Sequence, residues 1–348
     1  MNLKKLYHWV EETSKDWEGF TRHFCENVRV FSRAVALTQS SQVRKIASGT
    51  QGRADSQRRR LQRFLTKDHE LEQFFEVWTG SVFRALKQAE IVLAVDETKL
   101  KSRFGVMAVG IVYEGRCIPV AWEVYPANSK ADYPEEGQVG MILRLLKAIQ
   151  AGLPAGVPVR VLADRGIGTS PDLMRGIMAL GWTFLFRVTK QSKIVLPSGE
   201  DVTFYEQVNQ PGDSYQASGL VFKQRGRIPA HVQVLWGEAA QERWALVTND
   251  PTLTGWEYAQ RMWIEGAFRD LKSHGWQVES STLTDPKRMA HLWIILVVAY
   301  TWMVLIGAAK AASGLGLPMK RLPDGSYVRR WSLFREGWTA FLTAQQHF

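Results

Sequence analysis

Cysteine is almost absent from this chain: two residues, Cys25 and Cys117, in 348. That excludes a disulfide framework and a four-cysteine zinc site, and it suits a reducing cytosol. Glycine (28) and proline (13) are too sparse for a fibrous repeat. There is no internal repeat, no low-complexity tract, no zinc-finger pattern and no clear helix-turn-helix. The N-terminal stretch MNLKKLYHWVEETSKDW holds two lysines but no apolar core, so it does not read as a secretory signal. Acid is scarce beside base. Asp and Glu total 34 against 44 Lys and Arg, a net charge of +10, which makes a polyanion the leading class of partner. Long apolar runs are limited to Leu292–Ala309, 18 residues without a charge. As a helix this run is about 27 Å long, near the lower limit for a bilayer. Tyr300 and Trp302 stand mid-segment, not at the ends where interfacial aromatics collect, so a buried core helix and no membrane are expected.

What is present is an ordinary globular composition, 45% hydrophobic and 22% charged, with 14 tryptophans. The length implies two or three structural units. Residues 1–88 read as helical. Apolar residues recur at helical spacing in Phe20, Phe24, Val28 and Phe31, in Leu61, Phe64 and Leu65, and in Leu71, Phe74, Phe75 and Trp78. From Arg29 to Lys67 there are ten basic residues and one acid, Asp55. The densest part is Arg53-Ala-Asp-Ser-Gln-Arg58-Arg59-Arg60-Leu-Gln-Arg63. On a helix, Arg53, Arg60 and Arg63 fall near one side with Arg59 flanking. A block of one sign without interleaved Glu suits phosphate contact, although a solvated helix face has the same appearance.

Strand-like runs follow. Ile91–Val95 ends at Asp96, Val106–Val112 and Ile118–Val124 flank a hairpin turn at Tyr113-Glu-Gly-Arg116, and Val157–Ala163 ends at Asp164. A periodic helix lies at Gly137–Gly152, and Ser170-Pro171 opens another that runs to Leu180 before the strand Thr183–Val188. The order β-β-β-α-β-α-β makes a mixed sheet with helices on its faces. It is the order of the ribonuclease-H-like fold, which other α/β proteins share. Residues 190–250 break the plan as a β-rich insertion, with short strands at Lys193–Leu196, Val202–Tyr205, His231–Trp236 and Arg243–Thr248. A helix then runs from the capping box Thr254-Gly-Trp-Glu257 to about His274.

Asp96 and Asp164 each close a strand. If those strands are neighbours, the two carboxylates lie side by side and repel unless a cation sits between them. Each Asp alone reads equally well as a turn or helix cap. The third acid is Glu265. On a continuous helix Tyr258, Arg261, Glu265 and Lys272 share one stripe about 60° wide. A phenol, a guanidinium, a carboxylate and an ammonium do not make a core face. Glu265 can complete a metal site while Arg261 and Lys272 hold phosphates, or Arg261 and Glu265 are a plain i,i+4 ion pair.

The spacing Tyr-x2-Arg-x3-Glu-x6-Lys, together with Asp96-Glu-Thr98 and Asp164-Arg165-Gly166, resembles one group of bacterial insertion-sequence transposases of the Asp-Asp-Glu class. Ile167 departs from the aromatic usual at that position. The resemblance covers roughly residues 90–310. It implies a ribonuclease-H-like catalytic domain over 89–310 with its β-rich insertion at about 190–250 and a basic DNA-binding region over 1–88; the remaining residues, 311–348, are a basic C-terminal region whose helix at about 332–346 could supply a dimer contact or serve the core. It implies that Asp96, Asp164 and Glu265 are the catalytic, metal-binding residues for two Mg²⁺ or Mn²⁺ ions. By the same resemblance Tyr258, Arg261 and Lys272 would grip DNA phosphates, and Trp236 and Trp244 are candidates for stacking on an extruded base. Arg53, Arg58, Arg59, Arg60 and Arg63 of the basic block are the candidates for contact with double-stranded DNA. The implied reaction is metal-dependent cleavage at element ends, through a hairpin, and strand transfer into target DNA, carried out as a homodimer on the terminal inverted repeats. The alternatives are a ribonuclease-H-like nuclease without strand transfer and an inactive DNA-binding inhibitor of transposition. A cytoplasmic, nucleoid-associated bacterial protein is expected.

Overall fold

The computed structural model describes residues 17–129, 131–223, 226–238, 240–313, 317–322 and 325–346. Among the described residues four helices come first: α1 (Arg22–Thr38), α2 (Val43–Ser48), α3 (Ala54–Thr66) and α4 (Leu71–Leu86). The Thr21 hydroxyl caps α1 by accepting from the Phe24 amide at 3.2 Å, and Gln39 ends it in the left-handed region. Phe24, Val28, Phe31 and Val35 form the buried stripe of α1, and Phe74, Phe75 and Trp78 that of α4.

The sheet begins with the expected meander of β1 (Ile91–Leu100), β2 (Phe104–Tyr113) and β3 (Arg116–Pro126). Glu114 and Gly115 both have positive φ, as a two-residue hairpin turn of the primed kind requires. Helix α5 (Gly137–Ala151) leads to β4 (Val159–Ala163), which pairs parallel to β1. A single turn, α6 (Arg165–Gly168), precedes α7 (Pro171–Ala179), whose cap is Ser170 and whose first residue is proline. Strand β5 (Thr183–Arg187) then pairs parallel to β4.

Three expectations are corrected. Strand β1 does not stop at Asp96 but continues to Leu100, because Asp96 through Leu100 stay in register with Ala108 back to Phe104 of β2. The β-rich segment does not interrupt the sheet but continues it. Its strands are β6 (Lys193–Val195), β7 (Asp201–Thr203), β8 (Ser214–Val221), β9 (Ile228–Leu235) and β10 (Trp244–Thr248). The result is ten strands in the order β3-β2-β1-β4-β5-β10-β9-β8-β6-β7. Strand β8 escapes the pattern reading because most of its side chains reach water, and its place is set by backbone pairing to β9. Finally, the helix expected from 254 to 274 is two pieces: a 3₁₀ segment, Trp256–Met262, and then α8 (Trp263–Leu271).

Helix α9 (Pro286–Ala312) is the spine of the molecule. By length and composition it alone, among the described residues, could cross a membrane, yet 89% of its most apolar window is buried inside the protein. At roughly 1.5–3 kcal/mol for each large apolar side chain, it is a dominant contributor to stability. Its backbone carbonyls also take side-chain hydrogen bonds from other layers. Ser32 donates to Ile295, Trp122 to Ala290 and Trp276 to Leu296, at 2.9–3.1 Å. After a short hairpin of β11 (Met319–Arg321) and β12 (Tyr327–Arg329), helix α10 (Leu333–Gln346) returns across α9. Gly307 and Gly337 permit that crossing, since a Cβ on Gly337 would lie 1.8 Å from the Met303 carbonyl. Leu333, Phe334, Trp338 and Phe341 on α10 are buried, so its apolar pattern serves this chain's own core.

Where α9 meets the N-terminal helices, His69 and His291 pack edge to face with ring centroids 4.9 Å apart. Each ring donates to a backbone carbonyl, His69 Nε2 to Phe64 and His291 Nδ1 to Leu65, both at 2.9 Å. Burial, reinforced by the neighbouring His291, lowers His69 from 6.5 to about 4, and burial likewise lowers His291. The folded chain therefore binds fewer protons than the unfolded chain in that window. Stability is complete above pH 6.5 and declines as pH falls toward 4, by roughly 3 kcal/mol from His69 alone at about 1.4 kcal/mol per unit. Urea unfolding across that range should show this decline, and His69→Leu should flatten it while lowering stability at neutral pH.

Candidate active site

Parallel pairing sets Val95 of β1 opposite Ala163 of β4. The next residue on each strand is an aspartate, so Asp96 and Asp164 occupy adjacent positions. Asp96 lies within β1 and its Oδ1 accepts from the Glu97 amide at 2.9 Å. Asp164 is the N-cap of α6, and its Oδ1 accepts from the amides of Gly166 and Ile167 at 3.0 and 3.2 Å. The Asp-Arg-Gly sequence is thereby explained locally: the turn amides fix the carboxylate. Ile167, where an aromatic is usual, is buried in the core beneath it.

The 3₁₀ segment brings Arg261 into the same place. Gly255 starts it with φ +88°, and Tyr258 donates to the Gly255 carbonyl in the tight i→i−3 pattern. This winding replaces the continuous stripe expected of Tyr258, Arg261, Glu265 and Lys272 with a convergent set. Arg261 Nη2 lies 2.8 Å from Asp96 Oδ1 and 3.5 Å from Asp164 Oδ2. Its Nη1 bonds Glu265 Oε1 one turn on. The guanidinium side chain is only 7% exposed, and Asp96 is 14% exposed. Burial is the first influence on Asp96, and with Asp164 it pushes the carboxyl up to about 6 against the pull of Arg261. Burial disfavours the charge of Arg261, but Asp96, Tyr258, Asp164 and Glu265 outweigh it and its pKa is raised.

The other two members of the motif have structural partners. Tyr258 is buried, its hydroxyl is raised to about 12 chiefly by burial, and its ring meets Trp244 edge-on at 5.2 Å. Lys272 Nζ donates to Thr98 Oγ1 and to the Lys99 carbonyl, both at 2.7 Å. These bonds tie the end of α8 to β1 just beyond Asp96, and they give the threonine of Asp-x-Thr a function. Burial lowers the Lys272 pKa.

The remaining predicted residues are dispersed. Trp244 is half-buried behind Trp256, and Trp236 donates its indole N–H to Ala240 with Arg243 over its ring. Trp256, which sequence reasoning passed over as part of a capping box, is 53% exposed and is the open aromatic of this cluster. Arg165, beside Asp164, is also exposed and was missed, although the Asp-Arg-Gly block named it. In α3 and at its cap, Arg53, Arg59 and Arg63 are exposed and Arg58 is half-buried. Arg60 turns inward, contrary to the expected sidedness, because Asn27 Oδ1 at 2.6 Å and Glu26 at 3.2 Å hold it over the Phe31 ring. A hollow of about 960 Å³, lined by residues such as Trp182, Leu196 and His231, contains none of the carboxylates.

The donor set at the centre is all carboxylate oxygen, which is what hard divalent cations prefer. Among the described residues no three acids are closed around an empty point; they are gathered around Arg261. The place of convergence is thus already a cation site, filled by the chain's own guanidinium, and the residues fit a divalent ion that takes over those oxygens. Arg261→Ala should cost about 3–5 kcal/mol in chelator, because it leaves buried Asp96 unpaired. Asp96→Asn in the same chain should restore most of it. Urea unfolding of the two single variants and the double variant checks this, and equal losses in Arg261→Ala and in the double variant would refute it.

No curated protein matches the chain. Residues 87–302, well over half of its length, match the family described as transposase DDE domain. The matched region opens just before β1, ends within α9 and takes in Asp96, Asp164, Arg261 and Glu265. Proteins of this family generally use divalent metal ions, and they cut and join DNA. The chain belongs to the DDE transposases, DNA-cleaving and strand-transferring enzymes.

Proposed function

We propose that this transposase is a cut-and-paste enzyme whose catalytic residues are Asp96, Asp164 and Glu265. The observation that carries the reading is the convergence of these three carboxylates, from two parallel strands and a helix, on one positive charge. They would hold two Mg²⁺ or Mn²⁺ ions, which activate a water or a DNA 3′-OH and stabilise the leaving oxygen of an in-line displacement.

The chain's own residues do the rest. The Gly166 and Ile167 amides hold the Asp164 carboxylate, and the Glu97 amide holds that of Asp96. Arg261, released from the carboxylates, is placed to take a phosphate of the cleaved strand in bidentate fashion. Lys272 keeps α8, and so Glu265, against β1. After the first nick the 3′-OH attacks the opposite strand to give a hairpin. That step bends DNA sharply and extrudes a base, a cost of a few kcal/mol that an aromatic platform offsets by about 1–3 kcal/mol. Trp236 and Trp244 are the platform candidates, and the exposure of Trp256 adds it to them. The basic region over residues 1–88, of which 1–16 lie outside the described residues, recognises the terminal inverted repeats through Arg53, Arg58, Arg59 and Arg63. A homodimer holds the two ends together, in the bacterial cytoplasm on nucleoid DNA.

The test is a cleavage assay on DNA carrying the gene's own flanks, with wild type and Asp164→Ala, in Mg²⁺ and in chelator. Discrete cuts, hairpin ends and joined products are expected from wild type in Mg²⁺. A loss of at least about 10³-fold is expected in the variant, whose carboxylate no longer serves the metal site. Cuts without joining would establish a plain nuclease, and binding without cutting an inactive inhibitor. In the same assay alanine at the platform tryptophan should lower hairpin yield more than first-strand nicking; equal effects would exclude a stacking role.

A further inference from the structure

A second polar hollow, about 520 Å³, lies where the N-terminal helices meet the start of α9. Three arginines from three elements line it: Arg44 of α2, Arg58 of α3 and Arg288 of α9. Gln42, Gln62, Thr282 and Thr284 supply further hydrogen-bonding groups, and no carboxylate lines the hollow. The nearby acids are occupied on its margin. Asp55, 83% exposed, touches Arg58 Nε at 3.4 Å, and Asp285 caps α9 by accepting the Arg288 amide at 2.7 Å. Arg44 makes no ion pair among the described residues, and Arg288 Nε is buried without a hydrogen-bond partner in the protein. Three guanidinium groups facing one cleft repel one another. Their convergence becomes favourable when an anion bridges them, and the fork geometry of arginine matches phosphate oxygens.

Two features identify the anion as a nucleic-acid backbone. The cleft lacks an aromatic surface for a base or ring, since its apolar lining is Val43 and Leu283. It is also fastened to the strand that carries Asp96. Arg103, in the turn after β1, donates to the carbonyls of Leu283 and Glu279 at 2.7 and 3.2 Å. From Asp96 to the end of β1 at Leu100 is roughly 13 Å along the strand. Exposed Arg59 and Arg63 continue the positive surface along α3.

We propose that Arg44, Arg58 and Arg288 form a phosphodiester clamp that grips the DNA backbone beside the carboxylates and couples the N-terminal helices to the catalytic sheet. The clamp rests on the reading of the chain as a DNA transposase, but its test does not need cleavage. The probe is duplex cut from the gene's flanking DNA, titrated in chelator over a range of salt. With about eight phosphates neutralised, log K should fall against log salt with a slope of roughly −7 for wild type and for Asp164→Ala alike. Arg44→Gln/Arg288→Gln should reduce the magnitude of the slope by about 2 and weaken binding at physiological salt at least tenfold. Thr284→Glu, at an exposed position that demands no core packing, should weaken binding in the same direction. The control Lys147→Gln/Arg175→Gln removes equal charge outside the cleft and should leave the slope close to wild type. An unchanged slope in the arginine pair overturns the clamp. So does a cleft in which inorganic phosphate raises the melting temperature of wild type, and not of the pair, while the DNA slope is the same in both.

Discussion

The parallel pairing of β1 with β4, in the register that sets Val95 against Ala163, forces two aspartates into adjacent positions on the sheet. Everything around them follows from that constraint. Two carboxylates so placed are tolerable only near positive charge, and Asp96 is too buried for water to supply the screening. The 3₁₀ segment answers by delivering Arg261, and α8 adds Glu265 from the next turn. A regular α-helix over the same residues would spread Arg261 and Glu265 along a stripe. The tighter winding turns both toward the strands.

The carboxylates are held by elements whose rigidity comes from elsewhere. Helix α9 is buried along nearly all its length, and it receives hydrogen bonds from α1, from β3 and from the loop after α8. Helix α10 closes over it through the Gly307–Gly337 approach. The N-terminal helices, the sheet and the C-terminal helix thus share one core, from Trp17 to Phe341. Displacing any layer exposes apolar surface worth several kcal/mol. The site can therefore be strained electrostatically without loosening the fold.

Basic charge is divided between two functions. Some of it is internal: Arg60 braces α3 against α1, Arg116 pairs with Asp270 at 3.1 Å, and Lys310 pairs with Glu336 at 2.6 Å. Another part, on α2, α3 and the first turn of α9, faces outward or into the arginine-lined cleft. Net charge alone cannot separate these classes, since adjacent Arg59 and Arg60 differ only in the helix face they occupy.

By itself the sequence determined the elements whose signals are local. The apolar runs made β1 to β5, the Ser170-Pro171 and Gly115 signals made a helix start and a hairpin, and the charge-free run made the core helix. Spacing alone left Asp96 and Asp164 readable as caps and Arg261 with Glu265 as a plain ion pair; the resemblance of the three blocks to a transposase signature singled out Asp96, Asp164, Glu265, Tyr258, Arg261 and Lys272. Only the tertiary structure decided what these residues touch. It placed Arg261 among the carboxylates, tied Lys272 to Thr98, turned Arg60 inward, left Trp256 open and joined the inserted strands to the main sheet through β10. The physical reason is range. Capping, turns and periodicity are settled by interactions within a few residues, whereas strand order, the choice of 3₁₀ over α winding and the partner of each charge depend on groups distant in the chain, 33 residues apart for Arg60 and Asn27 and 174 for Lys272 and Thr98, that share one low-dielectric core.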